Sequence, residues 1–357
     1  MPSLEVLIAG IMLAALIFYA LLAGADFGGG VWDLLARGPR MNQQRALIAG
    51  AIGPIWEANH VWLILVIVLL FTAFPPAFVA IMTALHIPLT IMLIGIVLRG
   101  AAFTFRTYDS QADAVQRRWS RVFAIASVVT PVMLGVCIGA IASGRIAVAD
   151  GIVTSGFFAA WLAPFPWAVG LFALVQFAFL AAVYLTVEAP EQALREDFRR
   201  RALGAAVAVG ALALLVFLLS GAGAPRIRAG LIASPWAVPL QIATGLAAVG
   251  AIAALWWRHY LLARALAAAQ ISLILLGWAA GQFPYLVEPN ITIAGAAAPA
   301  VTLRLLLYAL AAGALVLFPS LYYLYRIFKG PDVFSIGIRA AREAAARRDE
   351  ARHANDS

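Results

Sequence analysis

Long apolar runs, each about the length of a bilayer crossing and separated by short polar segments, dominate the chain. They fall at approximately residues 4–23, 48–71, 77–98, 121–142, 159–186, 202–222, 235–257, 261–282 and 301–325. About 20 apolar residues carry an α-helix across the hydrocarbon core of a membrane. Backbone exposed to lipid must close its hydrogen bonds within its own segment, which favours helices. The runs are continuous rather than alternating, so an outer-membrane barrel is not indicated. The pattern therefore predicts an all-α polytopic membrane protein, a bundle of about nine transmembrane helices over residues 1–330. A cytoplasmic C-terminal tail over 331–357 is expected to follow. Its Ala, Arg and Glu content from Phe334 onward suggests an amphipathic helix along the inner surface.

Composition agrees with this pattern: 64% of the residues are hydrophobic and only 12% charged, whereas soluble domains carry roughly 25% charge. The net charge of +8 would suggest nucleic acid in a soluble protein, but its distribution along the topology gives it another meaning. Segments predicted on one side hold 21 of the 25 Lys and Arg residues. Only Arg145, Arg226, Arg228 and Arg304 fall on the other. Positive charge accumulates on the cytoplasmic side, so the N-terminus is expected in the periplasm and the C-terminus in the cytoplasm. No nucleic-acid partner is implied. Met1-Pro2-Ser3-Leu4-Glu5 has no basic n-region, so a cleavable signal peptide is not expected. Cys137 is the single cysteine, which rules out an intrachain disulfide and any CxxC motif.

The candidate chemistry lies in the few polar residues inside these runs. An ionisable side chain at the bilayer centre costs ~2.5–3.5 kcal/mol on insertion scales, so each one needs a reason to be there. The first run leads into Gly24-Ala25-Asp26-Phe27-Gly28-Gly29-Gly30-Val31-Trp32-Asp33. Its glycines suit either close approach of another backbone or a break in the helix. Asp26 lies near the inner boundary and admits both a structural and a functional reading. Asp33 is expected to be an interfacial charge. The second run opens with Gly53-Pro54-Ile55-Trp56-Glu57-Ala58-Asn59-His60-Val61-Trp62. Glu57 and His60, three apart, would share a helix face, as either a packing pair or a proton-carrying site. If the helix enters near residues 46–48, Glu57 lies ~15 Å in, at the midplane. His86, followed by Pro88, is expected near mid-depth of the third run. Arg99 at that run's inner end is expected to be a snorkelling anchor, or else a partner of Asp26 or Glu57. The mixed-charge stretch from Glu188 to Arg201 is expected to be a solvated loop. Runs six and seven are expected to be generic packing helices.

Other chemistry is poorly supported. His60 and His86 are the only histidines at membrane depth, too few for a multi-haem protein. No phosphate-binding loop, HExxH or dinucleotide fingerprint is present. A proton-coupled secondary transporter using Asp26, Glu57 and His60 is the alternative of another class. Such transporters often carry internal repeats, and no convincing repeat is visible.

Two motifs, Gly24-Ala25-Asp26-Phe27-Gly28-Gly29-Gly30 and Gly53-Pro54-Ile55-Trp56-Glu57-Ala58-Asn59-His60-Val61-Trp62, together resemble subunit II of the cytochrome bd-type quinol oxidases. Val97-Leu98-Arg99-Gly100 and Gln282-Phe283-Pro284-Tyr285 fit the same family. The histidine pattern and the short external connections look closer to its cyanide-insensitive branch. The resemblance implies a nine-helix, non-haem subunit in the bacterial inner membrane. Its partner, subunit I, would carry b-type haems and a haem d, or a third haem b, and the complex would pass electrons from quinol to oxygen. No cofactor is then expected on this chain's own side chains, although the resemblance leaves room for a structural quinone or lipid. A small accessory subunit is also compatible. The chain is expected to stabilise subunit I and to supply a cytoplasmic proton route. Asp26 and Glu57 would be its acids, with His60, Asn59, Trp56 and Arg99 in support.

Overall fold

The computed structural model describes residues 3–53, 56–108 and 113–329. The expected tail over 331–357 lies outside the described residues. In chain order the helices are α1 (Leu4–Leu34), α2 (Met41–Ile52), α3 (Trp56–Asn59), α4 (Val61–Ala73), α5 (Pro75–Ala84), α6 (His86–Tyr108) and α7 (Asp113–Ile141). They continue with α8 (Pro164–Glu188), α9 (Gln192–Gly223), α10 (Pro225–Ala233), α11 (Ala237–Trp256), α12 (Tyr260–Gln282) and α13 (Ala300–Lys329). Two small antiparallel hairpins complete the architecture: β1 (Val148–Ala149) with β2 (Ile152–Val153), and β3 (Tyr285–Val287) with β4 (Ile291–Thr292). Among the described residues, nine helical segments are long and apolar enough to cross a membrane, as the hydropathy pattern predicts.

The first crossing differs from expectation. α1 does not stop at residue 23 but runs through the glycines to Leu34. Those glycines serve close packing instead of a break. A Cβ on Gly28 would collide with the carbonyl oxygen of Phe177 in α8, and one on Gly30 with the Ser127 hydroxyl in α7. The indole Nε1 of Trp32 donates to the carbonyl of Ala178 at 2.7 Å, which fixes α1 against α8. Asp33, at the end of α1, is 2% exposed. Arg45 Nε stands 3.8 Å from its Oδ1.

The second apolar run is divided. α2 ends at Ile52, and the crossing helix proper spans Trp56–Ala73, with a turn at His60. The third run is interrupted at Leu85. Pro88 has no N–H to offer the carbonyl of Ala84, which removes one helical hydrogen bond from that turn. The stretch expected to be a solvated loop around Arg195–Arg201 is the opening of α9. There Arg40 forms a bidentate pair with Asp197 at 2.8 and 2.6 Å, and Gln44 joins Asp197 to Arg201.

At the opposite end of the bundle the hairpins form a cap. Asn290 donates to the carbonyl of Val148, and Ala298 N–H to that of Ala73. Beneath the cap, Glu288 is 4% exposed. Its Oε1 lies 3.7 Å from Arg226 Nε and has no hydrogen-bond partner among the described residues. Burial pushes the Glu288 carboxyl up to about 7 from its ordinary 4.5, against the opposing pull of Arg226. Because the folded value exceeds the unfolded one, folding favours the protonated form. That contribution to stability is fully present below pH 4.5 and is lost as pH rises through about 7. Glu288→Gln keeps a neutral group at this position. Its thermal unfolding temperature is expected to exceed wild type at pH 8 and to converge with it at pH 5. A lower unfolding temperature for the variant at pH 8 would mean that the Arg226 pair outweighs burial.

Candidate functional site

The polar centre of the bundle is built on the glycine-rich half of α1. Glycines 28, 29 and 30 draw α8, α2 and α7 inward, and Asp26, one turn earlier, is left 5% exposed among them. The Asn59 side-chain amide donates to Asp26 Oδ2 at 2.6 Å. From the other face comes Arg99 of α6, itself 2% exposed. Its Nη2 donates to the Asp26 backbone carbonyl at 2.9 Å and its Nε to the Ser127 hydroxyl at 3.3 Å. The guanidinium stands over the rings of Phe27 and Phe123, with centroids at 4.9 and 5.1 Å. Ring faces attract cations, more strongly once desolvated. Arg99 is therefore no snorkelling anchor; it is the buried cation beside Asp26, the sharper of its two expected roles.

Asn59 is 1% exposed and makes a second contact: its Oδ1 accepts from the Tyr325 hydroxyl of α13 at 3.0 Å. A continuous chain Asp26–Asn59–Tyr325 thus joins α1, α3 and α13. It fixes the orientation of the carboxylate, because the amide can satisfy both partners in only one flip state.

The remaining expected residues separate. Glu57 and His60 do not share a face. Glu57 is exposed on the surface of the chain, while His60 turns inward. The His60 ring packs against Tyr19, Phe27 and Trp56, with centroids 5.8, 6.0 and 6.3 Å away. The break between α3 and α4 at His60 undoes the expected spacing. Nor is Glu57 at the midplane. It is the second residue of the Trp56–Ala73 crossing, which is ~27 Å long at 1.5 Å per residue. It therefore lies at the predicted cytoplasmic end, beside Asp26 in depth. Beyond the break, α4 exposes Val61, Ile64, Val68 and Phe71. Trp56 covers Gly100 and contacts Phe103 at 6.2 Å, bracing α3 against the helix that carries Arg99. His86 is not at mid-depth either. It is exposed in the first turn of α6 at the other end, with its ring edge-on to Phe157 at 5.5 Å.

Two cavities adjoin this centre. A polar one of about 210 Å³ is lined by Asp26, Asn59 and Tyr325 and also by Tyr184, Glu188 and Arg264. The last three were not legible as site residues, since Glu188 belongs to a mixed-charge stretch that looks like any solvated loop. A larger apolar cavity of about 690 Å³ lies between α1, α7, α8, α9, α11 and α12. Few polar groups reach it. Among them are Gln176, whose amide oxygen and nitrogen are buried without hydrogen-bond partners among the described residues, Gln270 Oε1, and Trp278 Nε1. Two of its walls, α9 and α11, are the helices expected to be generic packing elements. Among the described residues no three His, Cys, Asp or Glu side chains gather as a metal ligand set.

Comparison with known proteins places this geometry in context. The family model described as cytochrome bd terminal oxidase subunit II matches residues 4–328. Cytochrome bd ubiquinol oxidase subunit 2 of Bacillus subtilis is 35% identical over 127 residues, 35% of this chain and 37% of that protein. That alignment spans just over a third of the relative's length. A putative cytochrome bd menaquinol oxidase subunit II of the same organism is 22% identical across 91% of this chain and 96% of its own. Cytochrome bd-I ubiquinol oxidase subunit 2 of Escherichia coli is 27% identical over 36% of this chain and 33% of its own. The solved bd oxidase from Geobacillus thermodenitrificans contains a chain that superposes with a TM-score of 0.74. The match covers 92% of this chain and 99% of that one, at 22% identity, and so establishes the shared fold.

Proposed function

This chain belongs to the cytochrome bd terminal oxidase subunit II family, and from that premise we propose that it is the non-haem subunit of a quinol-oxidising, oxygen-reducing complex. In this reading it stabilises a haem-bearing partner and conducts protons toward it from the cytoplasm. The haems, b-type with a haem d or a third haem b, belong to the partner. The bundle sits in the inner membrane with Leu4 at the periplasmic end of α1 and Lys329 at the cytoplasmic end of α13, the orientation that the Lys and Arg distribution supports.

The observation that carries the proton role is the buried Asp26, aimed by Asn59 and Arg99 and bordering a polar cavity. A purely structural ion pair needs no cavity beside it. Glu57, exposed two residues from Asn59, is the natural donor across the surface that meets the partner. His60 and Trp56 support the turn that separates these two acids. The apolar cavity suits a quinone or a lipid tail. Its unpartnered Gln176, Gln270 and Trp278 groups would hold a carbonyl or head group. A bound quinone would supply reversible two-electron, two-proton chemistry at that position.

Asp26→Asn is the direct test. The Arg99 guanidinium keeps its bond to the Asp26 backbone carbonyl, so the variant is expected to assemble with a normal haem spectrum. Oxygen consumption with quinol is expected to fall about 10²-fold, the lower end of the range for losing one acid–base group. Asp26→Glu should recover part of the rate. An assembled Asp26→Asn complex working at the wild-type rate would refute the proton role.

A further inference from the structure

We propose that Glu188 is the carboxylate that loads protons into the chain from the cytoplasm, passing them through the polar cavity to Asp26. The inference rests on the proton-route reading above and names its inlet.

The cavity brings together two carboxylates from different helices, Asp26 of α1 and Glu188 at the last residue of α8. Its volume of about 210 Å³ gives room for several waters, since roughly 10–15 Å³ of space for its centre is enough to hold one. Exposure falls along it in the order a funnel requires. The Arg264 side chain is 44% exposed and the Glu188 side chain 14%, and Asp26 is 5% exposed. Arg264 Nη1 stands 4.0 Å from Glu188 Oε1, and its Cζ lies 4.7 Å from the centroid of the Tyr184 ring. That separation is at the outer limit of an ion pair. Among the described residues that line the cavity, the ionisable groups beside Glu188 are Arg264 from α12, Tyr184 on its own helix, and Asp26 and Tyr325 across the cavity, while α2 contributes Ile48, Ala51 and Ile52.

The transfer balances as follows. A hydronium ion in the cytoplasmic water at the rim gives its proton to the Glu188 carboxylate and remains as water, and the resulting acid gives a proton to a cavity water. That water in turn delivers a proton to the Asp26 carboxylate. Glu188 returns to its starting form, and one proton has moved inward. Arg264 draws the ionised carboxylate back to the rim for the next cycle. Tyr184 and Tyr325 complete the polar wall without changing protonation.

The test uses the whole purified oxidase complex and compares Glu188→Gln, Glu188→Asp, Ala51→Leu and Asp26→Asn. Ala51→Leu adds bulk to the cavity wall while leaving both acids in place. Oxygen consumption is followed from pH 6 to 9, with the haem spectrum as the control for assembly. Glu188→Gln is expected to slow turnover by ~3–10-fold, the loss growing toward high pH as direct supply from water fails. Glu188→Asp should restore most of the rate, and Ala51→Leu should slow turnover even if Glu188→Gln fails to assemble. A slow Asp26→Asn alongside wild-type rates for Glu188→Gln and Ala51→Leu would overturn this inlet and leave the proton route standing. A Glu188→Gln defect that is flat across pH and not relieved by aspartate would also overturn it. Wild-type rates in all four variants would refute both readings.

Discussion

Glu57→Gln is expected to yield a complex that assembles with its full haem complement and consumes oxygen about 10²-fold more slowly, the lower end of the range for general acid–base groups. Glu57 is exposed on the chain, and exposed substitutions away from special features cost within about 0.5 kcal/mol. Glutamine preserves its shape and its capacity to bond a partner, so assembly should survive. What it removes is the proton. Glu57 stands at the inner end of the crossing that exposes Val61, Ile64, Val68 and Phe71. A carboxylate at the end of such an apolar surface, two residues from the Asn59 that bonds Asp26, is poorly explained by lipid contact alone. It is well explained as the hand-over point to a second subunit. Glu57→Asp keeps the acid with a shorter reach and should retain partial activity. An assembled Glu57→Gln complex at the wild-type rate would make Glu57 a packing residue of the interface.

The second large effect is on folding. Arg99→Met is expected to prevent accumulation of the complex. Arg99 is 2% exposed and bonds the Asp26 carbonyl and Ser127, and its guanidinium fills the gap between the Phe27 and Phe123 rings. Removing Arg99 takes the neighbouring cation from the buried Asp26 carboxylate and costs about 3–5 kcal/mol, whereas Asp26→Asn leaves the guanidinium its bonds to the Asp26 carbonyl and Ser127 and its two ring faces. Stability totals are only about 5–15 kcal/mol, so such a loss is decisive. The same argument gives a sharper expectation. Replacing both charges, Asp26→Asn with Arg99→Met, should recover assembly toward wild type without recovering turnover. Accumulation is measured as haem-containing complex in solubilised membranes. Normal accumulation of the single Arg99→Met variant would show that the guanidinium carries little of the packing.

Much of this architecture can be seen in the chain before any coordinates. The crossings are legible because hydropathy is a property of composition over about 20 residues, and errors of a few positions do not matter. Asp26 is legible because a carboxylate among four glycines, at the end of an apolar run, has few ordinary explanations. What is not legible depends on single turns. The Glu57–His60 spacing implies one shared face only if the helix is continuous, and the structure turns at His60. Counting depth from residue 46 fails for the same reason, because α2 is a separate helix. Arg99 looks like a snorkelling anchor because sequence shows its distance from the run's end but not the bulk of α1 and α7 above it. Glu188 escapes notice because its charged neighbours resemble a solvated loop. Only folding shows that those neighbours pair with α2 and α9 while Glu188 turns to the cavity. Gln176 and Gln270 are similarly inconspicuous, single amides within the long apolar runs that form α8 and α12.

The central claim is that protons for oxygen reduction reach the partner through Asp26 from the cytoplasmic end of this chain. It is tested most directly by single-turnover proton uptake. The reduced complex is reconstituted in vesicles with a pH-sensitive dye on the side of the Glu188 end and mixed with oxygen. Wild-type complex should take up protons from that side in step with oxygen reduction, and Asp26→Asn should delay the dye signal by the same factor as its turnover. Dye uptake at the wild-type rate in assembled Asp26→Asn, or wild-type uptake from the opposite side, would contradict the account.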